Sequence, residues 1–281
     1  MTTTTHTTVH TTGRSTGLAT GLAHTLLLTG RLQRGLWRMP TFLVIGLVQP
    51  VIWLLLFGQL FRAVAELPGF ARGDGGFLEF LTPGVVMMTA LFASAWAGTT
   101  YLQDIERGVM DRLLASPAGR GAMMAATMAH QALQTVVQSL VVVALALLAG
   151  ARFGDGATGG VAGVGVMVLA ATLLTLIFSA LSNAVALLTR QQATLIAISQ
   201  FTTLPLMFLS SAVMDLHLAP GWVRGIAAYN PVEWAVAAAR EATRAHPDRT
   251  DIATGLALLA TTALAMALLS TRAFRAYRRA A

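Results

Sequence analysis

The spacing between successive charged residues constrains this chain more than any other feature. A helix that crosses a hydrocarbon layer of about 30 Å needs about 20 residues nearly free of charge. Six stretches meet that requirement: Met39 to Phe61, Phe80 to Gln103, Gly121 to Ala151, Gly156 to Thr189, Gln191 to Met214 and Ile252 to Thr271. Soluble helices of this length would carry a charged face, and these carry none. Pro50, Gly98 and Pro205 interrupt them, which membrane helices tolerate. Only 11% of the 281 residues are charged, against roughly 25% in a typical soluble domain, so the excess apolar surface needs lipid. The expectation is an all-α membrane protein with six transmembrane helices.

Six spans put both termini on one side, and arginine placement says which. The termini, the 104 to 120 loop and the loop at 190 hold twelve arginines against Asp104, Glu106 and Asp111, a net +9. The remaining loops hold seven arginines against nine acids, a net −2. The excess of positive charge places both termini in the cytoplasm of a multi-pass plasma-membrane protein.

Residues 1–17 are threonine-rich, with too little apolar surface to order themselves, and read as a disordered tail. Residues 18–281 read as a single transmembrane domain. At its start, Leu18, Leu22, Leu26, Leu32 and Leu36 interleave with Arg31, Arg34 and Arg38. That pattern suits a helix lying in the inner membrane surface, or a basic flank of the first span.

The same composition excludes several classes of function. All nineteen basic residues are arginines flanking apolar runs rather than one basic face, which argues against nucleic acid as a partner. The absence of cysteine removes disulfides, thiolate catalysis and cysteine-ligated metal. The absence of lysine removes the phosphate-binding loop, whose lysine reaches the phosphates, so the chain cannot hydrolyse ATP by itself.

Two segments outside the spans stand out. Between the second and third, Val109, Met110, Leu113 and Leu114 fall on one helical face while Arg107 and Asp111 pair on another, and Pro117 ends the pattern. A short amphipathic cytoplasmic helix here either presses on a soluble partner or rests on the lipid surface. Before the last span, Gly225 to Val232 and Trp234 to Ala239 are apolar pieces too short to cross, suited to re-entrant or interfacial helices. Pro220, Trp222, Asn230 and Pro231 punctuate this stretch, as an outer gate or as simple interfacial anchoring of the tryptophans.

These residues carry a resemblance. Arg38-Met-Pro40, Glu106-Arg-Gly108 with Arg112-Leu-Leu-Ala-Ser-Pro117 and Arg120, and Phe208-Leu-Ser-Ser-Ala-Val-Met214 through Pro220, Trp222, Asn230-Pro231 and Arg240 resemble the type-2 ABC exporter permeases. The similarity is to their daunorubicin-resistance-like drug permeases of actinobacteria, over roughly residues 25 to 279. It implies a permease, not an enzyme, which pairs with a second copy as a homodimer and is driven by two copies of a separate ATP-binding subunit. ATP and Mg would belong to that subunit, and this chain would bind no cofactor or metal of its own. Glu106, Arg107, Gly108, Val109, Met110, Arg112, Leu113, Leu114 and Pro117 would then form the coupling helix seated in a groove of the ATPase. The resemblance also assigns the pathway to the second and fifth spans, whose polar residues are Thr89, Ser94, Thr99 and Thr100, and Ser199, Gln200, Thr202 and Thr203.

Polar stripes run down two other spans. Thr127, Gln131, Gln134 and Gln138 share one face of the third, and Thr172, Thr175, Ser179 and Ser182 share one face of the fourth with Asn183 beside it. Both read as interhelical packing, with substrate contact as the alternative. His130 reads as a hydrogen-bonded packing residue rather than a proton relay, since no acid lies inside the six windows. A pathway with apolar walls and only the hydroxyl and amide groups of the second and fifth spans suits a hydrophobic or amphipathic substrate better than a small ion. The expected function is therefore export of a drug-, antibiotic- or lipid-like molecule, with export of a polysaccharide or lipid-linked glycan as the nearest rival. An intramembrane enzyme would need a paired-acid or triad arrangement, and a channel a charged ring, neither of which is present.

Overall fold

The computed structural model describes residues 25–30, 32–34, 40–58, 76–109, 120–153, 156–212, 216 and 219–279. Among them there are helices and turns and no strand. We label the principal helices α1 (Pro40–Ile52), α2 (Phe77–Ala95), α3 (Thr99–Glu106), α4 (Arg120–Leu148), α5 (Gly156–Thr189), α6 (Gln192–Phe208), α7 (Gly221–Ala227), α8 (Pro231–Ala242) and α9 (Arg249–Arg279).

Four segments are long and apolar enough to cross a membrane: Phe77–Glu106, Met123–Leu148, Gly160–Thr189 and Arg249–Ala273. They coincide with the second, third, fourth and sixth charge-free windows. In the first window the chain is helical from 40 to the end of the described stretch at 58, and the fifth forms a shorter helix. In the first, Pro50 supplies no N–H, and just beyond it the helix widens into a π-turn over Trp53–Phe57. In the fifth, α6 has 17 residues and carries Pro205 near its end. At about 1.5 Å per residue it measures roughly 26 Å, short of the hydrocarbon thickness.

The α5 helix is the hub, packing against α2, α4, α8 and α9. Its Met167 and Leu174 are fully buried in one core with Met87 and Leu91 of α2, Val236 of α8 and Leu259 of α9. With apolar lipid outside as well as inside, such a bundle is held by close packing rather than by expulsion of water. Gly84 shows how close: a Cβ there would lie 1.9 Å from the carbonyl oxygen of Ala212. Near the chain start, residues 25–30 and 32–34 are helical and lie against α4. Thr29 donates to the Ala126 carbonyl at 3.4 Å, while Leu26 and Leu27 are exposed. The tail over 1–17, and Met110, Arg112, Leu113, Leu114 and Pro117 of the expected coupling helix, lie outside the described residues.

Candidate functional site

The second span is not one continuous helix. After Ala95 the chain turns through Trp96–Gly98 and resumes as α3. A break inside a membrane exposes backbone groups that lipid cannot satisfy, so something else must bond them. The Ser182 hydroxyl of α5 accepts from the Gly98 N–H at 3.0 Å and donates to the Ala95 carbonyl at 2.6 Å. Ser199 of α6 donates to the same carbonyl at 2.9 Å. Glycine is required at 98 by space, because a Cβ there would meet the Ser182 carbonyl oxygen at 2.4 Å.

At its far end α3 stops at Glu106. Arg107 and Gly108 donate to the carbonyls of Gln103 and Ile105, each at 3.0 Å, and Gly108 adopts a left-handed φ of +64°. This is the glycine stop common at helix C-termini. Nothing approaches a Cβ at Gly108, so here glycine is required by backbone conformation rather than by space. Glu106 thus ends the helix descending from the second span, Arg107 and Gly108 form the turn, and Val109 begins the next helical segment.

The stretch before α9 folds around Asn230. Its Nδ2 donates to the carbonyls of Leu206 at 2.7 Å and Leu209 at 2.9 Å, groups left over at the end of α6. Its Oδ1 accepts from the Val232 N–H at 2.9 Å, capping α8, and Pro231 follows at the first helical position, where its missing N–H costs nothing. On α8, Glu233 Oε2 accepts from the Ser211 N–H at 2.6 Å, and Arg240 donates to the Ser211 carbonyl at 2.6 Å. Arg240 also donates to the Phe80 carbonyl at 3.2 Å and lies 3.8 Å above the Phe80 ring. An acid and an arginine seven residues apart on one helix therefore grip both sides of one residue in the turn after α6. The other expected gate residues sit apart from this grip. Pro220 caps α7, and Trp222 on α7 is exposed, as is Tyr229.

A cavity of about 530 Å³ lies between α1, α2 with α3, and α4. Gln49 and Trp53 line it from the first helix, Thr89, Phe92, Trp96, Thr99, Thr100 and Gln103 from the second span. His130, Gln131, Gln134 and Gln138 complete it from α4. Its wall near residue 130 is tied to the chain start, since His130 Nδ1 is hydrogen-bonded to Gln33 at 3.1 Å. The polar stripe on α4 is therefore divided. Thr127 lies within hydrogen-bond distance of Tyr101 Oη at 3.1 Å and accepts from Asn183 at 3.3 Å, a packing role, whereas the three glutamines face the cavity.

The expected pathway residues are divided as well. Thr89, Thr99 and Thr100 line the cavity. Ser94 is buried and donates to the carbonyls of Ala90 and Leu91; Thr203 is buried and donates to Ser199. Gln200 is exposed and Thr202 half-buried on α6.

The family model for the ABC-2 type transporter matches residues 23–243. The chain belongs to the ABC-2 type transporter family. Within this ABC-2 chain the matched region holds the Gly108 turn, the break at Gly98, the cavity and the Asn230 junction. The daunorubicin resistance ABC transporter permease protein DrrB1 of Streptomyces coeruleorubidus is 30% identical over 202 residues, covering 72% of this chain and 68% of its own. A transport permease designated ycf38 from Porphyra purpurea is 28% identical over 211 residues, 74% of this chain and 70% of that one. A protein named as a probable doxorubicin resistance ABC transporter permease, DrrC of Mycobacterium tuberculosis, is 25% identical over 217 residues, 77% of this chain and 75% of its own.

Proposed function

We propose that this ABC-2 chain is the permease subunit of an ATP-driven exporter that moves a hydrophobic or amphipathic small molecule out of the cell. The observation that carries the reading is the family match running through residues 23–243, with relatives named as drug-resistance permeases. A chain without lysine has no phosphate-binding loop, so ATP is hydrolysed by a separate subunit, in two copies, that binds ATP and Mg. The permease works as a homodimer with six spans, the first containing α1 and the fifth α6, and with both termini in the cytoplasm. The net charges of +9 and −2 on the two sets of loops support that orientation.

In this reading the segment after the Gly108 turn is the coupling element, with Leu113 and Leu114 on the face that meets the ATPase. Its test is co-purification of the ATP-binding subunit with wild type and Leu113→Asp, alongside efflux. An unpaired carboxylate at that interface costs on the order of 3 kcal/mol, about a hundredfold in affinity. A mutant that inserts normally, keeps its partner and transports fully would show that the segment does not couple. Purified permease should show no ATP turnover until the second subunit is added, and turnover by the permease alone would defeat the reading.

Orientation is testable because the native chain has no cysteine. Tyr229, 83% exposed, is the position to label, whereas Asn230 beside it is buried. Tyr229→Cys should react with an impermeant maleimide on intact cells, and Gln191→Cys only after lysis. The reverse pattern would invert the topology.

A further inference from the structure

We propose that the cavity between α1, α2 with α3, and α4 is a binding site, contained within one copy of the chain, for a neutral amphiphile that presents hydroxyl or amide donors on an apolar or aromatic body. Three observations support it. The first is size: at about 530 Å³ the cavity falls within the several-hundred-Å³ range of small-molecule sites. The second is chemistry. Gln103, Gln131, Gln134 and Gln138 supply amides, while Trp53, Phe92 and Trp96 supply flat apolar faces. The described residues lining it include no carboxylate and no guanidinium, and His130 is the one titratable group among them.

The third is an unmet acceptor. Gln138 is 2% exposed, lines the cavity, and its Oε1 has no hydrogen-bond partner. A buried amide oxygen left unpaired is costly, and native structures rarely leave one without a purpose. The oxygen is itself buried, so a ligand N–H or O–H would pair with it once the side chain turns toward the cavity, and a second acceptor would not. A packing stripe would need its amides paired across a helix contact, and here Gln131 and Gln134 border the cavity and are only half-buried.

The inference rests on the permease reading only for what binding serves, since binding itself is measurable without ATP or partner. The probe is apigenin, a trihydroxyflavone, used at mildly acidic pH where its hydroxyls are protonated, with hydroxyl-free flavone and cationic ethidium as comparators. The readout is quenching of the permease tryptophan fluorescence in detergent. Apigenin should quench saturably, flavone should bind about tenfold or more weakly, and ethidium should not compete. Gln138→Leu should weaken apigenin about tenfold, the loss expected for one good hydrogen bond, while the unliganded protein melts higher because the orphan oxygen is gone.

Gln134→Glu, which puts a carboxylate in the cavity, should gain ethidium binding and keeps the proposal testable if Gln138→Leu misfolds. Thr254→Val, exposed on α9 and outside the cavity, should change nothing. Equal binding of flavone and apigenin, ethidium competition in the wild type, or indifference to both cavity substitutions would overturn the proposal. Loss of binding with ATP-driven efflux intact would refute this site alone, whereas intact binding without partner-driven efflux would refute the transport reading alone.

Discussion

The side-chain amide of Asn230 donates to the Leu206 carbonyl at 2.7 Å, so one residue ties the last turn of α6 to the first turn of α8. The same side chain is donor to α6 and acceptor for α8, and only an amide of this length does both. Asn230→Asp keeps the acceptor but sets a carboxylate against two carbonyl oxygens. It should destabilise by about 3 kcal/mol or more, whereas Asn230→Ser, which can still cap, should lose about half of that. Thermal unfolding in detergent checks the order; an Asp variant as stable as wild type would mean that the junction does not hold α6.

Two glycines should fail differently. Gly84→Ala drives a methyl into the Ala212 backbone and should cost about 3 kcal/mol or more. Gly108→Ala meets no neighbour and should cost about 1 kcal/mol through its left-handed φ alone. Gly108→Asn should be milder still, because asparagine tolerates that conformation. The comparison is made on melting midpoints of the three purified variants, and equal losses at 84 and 108 would contradict it.

Ser182 and Ser199 share one acceptor, the Ala95 carbonyl. Ser182→Ala also orphans the Gly98 N–H and should cost about 2 kcal/mol, with Ser199→Ala costing less because Ser182 still bonds the carbonyl. In the double variant the carbonyl loses both partners, so the losses should exceed additivity by about 0.5 kcal/mol or more. A double-mutant cycle reads this directly, and strict additivity would mean that the carbonyl needs only one bond.

Phe201 and Phe208 on α6 are 83% and 70% exposed, which suits a face meeting either lipid or a second copy. Two-fold symmetry brings a residue on the axis near its own equivalent. A short bis-maleimide should therefore link Phe201→Cys into a covalent dimer in membranes, and should not link Leu264→Cys on the exposed face of α9. Equal crosslinking at both positions, or none at 201, would remove α6 from the dimer axis.

The parts of this fold legible in the sequence are those set by hydropathy alone. Windows such as Gly156 to Thr189 contain no charge, and α5 fills that window from end to end. Where a helix widens or stops inside an apolar run was not legible, because Pro50, just before the π-turn, and Pro205, near the end of α6, change backbone geometry without changing hydropathy. The bonding of the hydroxyl residues expected along the pathway was not legible either. A serine or threonine in a helix can return its proton to a carbonyl one turn back, as Ser94, Thr203 and the cavity-lining Thr89 do, and then keeps only its acceptor capacity. The glutamines cannot close on themselves so easily, and their i, i+3 and i+7 spacing on α4 was the better signal of a polar wall.

Glu233 belongs to no motif, yet the sequence carries a signal for it: an acid and an arginine seven residues apart, with only apolar residues between them, since a charge is kept near lipid only when it has a partner. The Gly108 turn was legible as a motif, but its reason, a backbone sign rather than a contact, required φ.

The gap at Trp96–Gly98 makes the second span two rods on a shared pivot. A continuous helix resists bending through every turn, but this joint is pinned from outside by hydroxyls on α5 and α6. The lower rod is eight residues long and carries Thr99, Thr100 and Gln103 along the cavity wall before it ends beside Gly108. A push delivered at the Gly108 end would swing that wall about Gly98 and change the width of the chamber it borders.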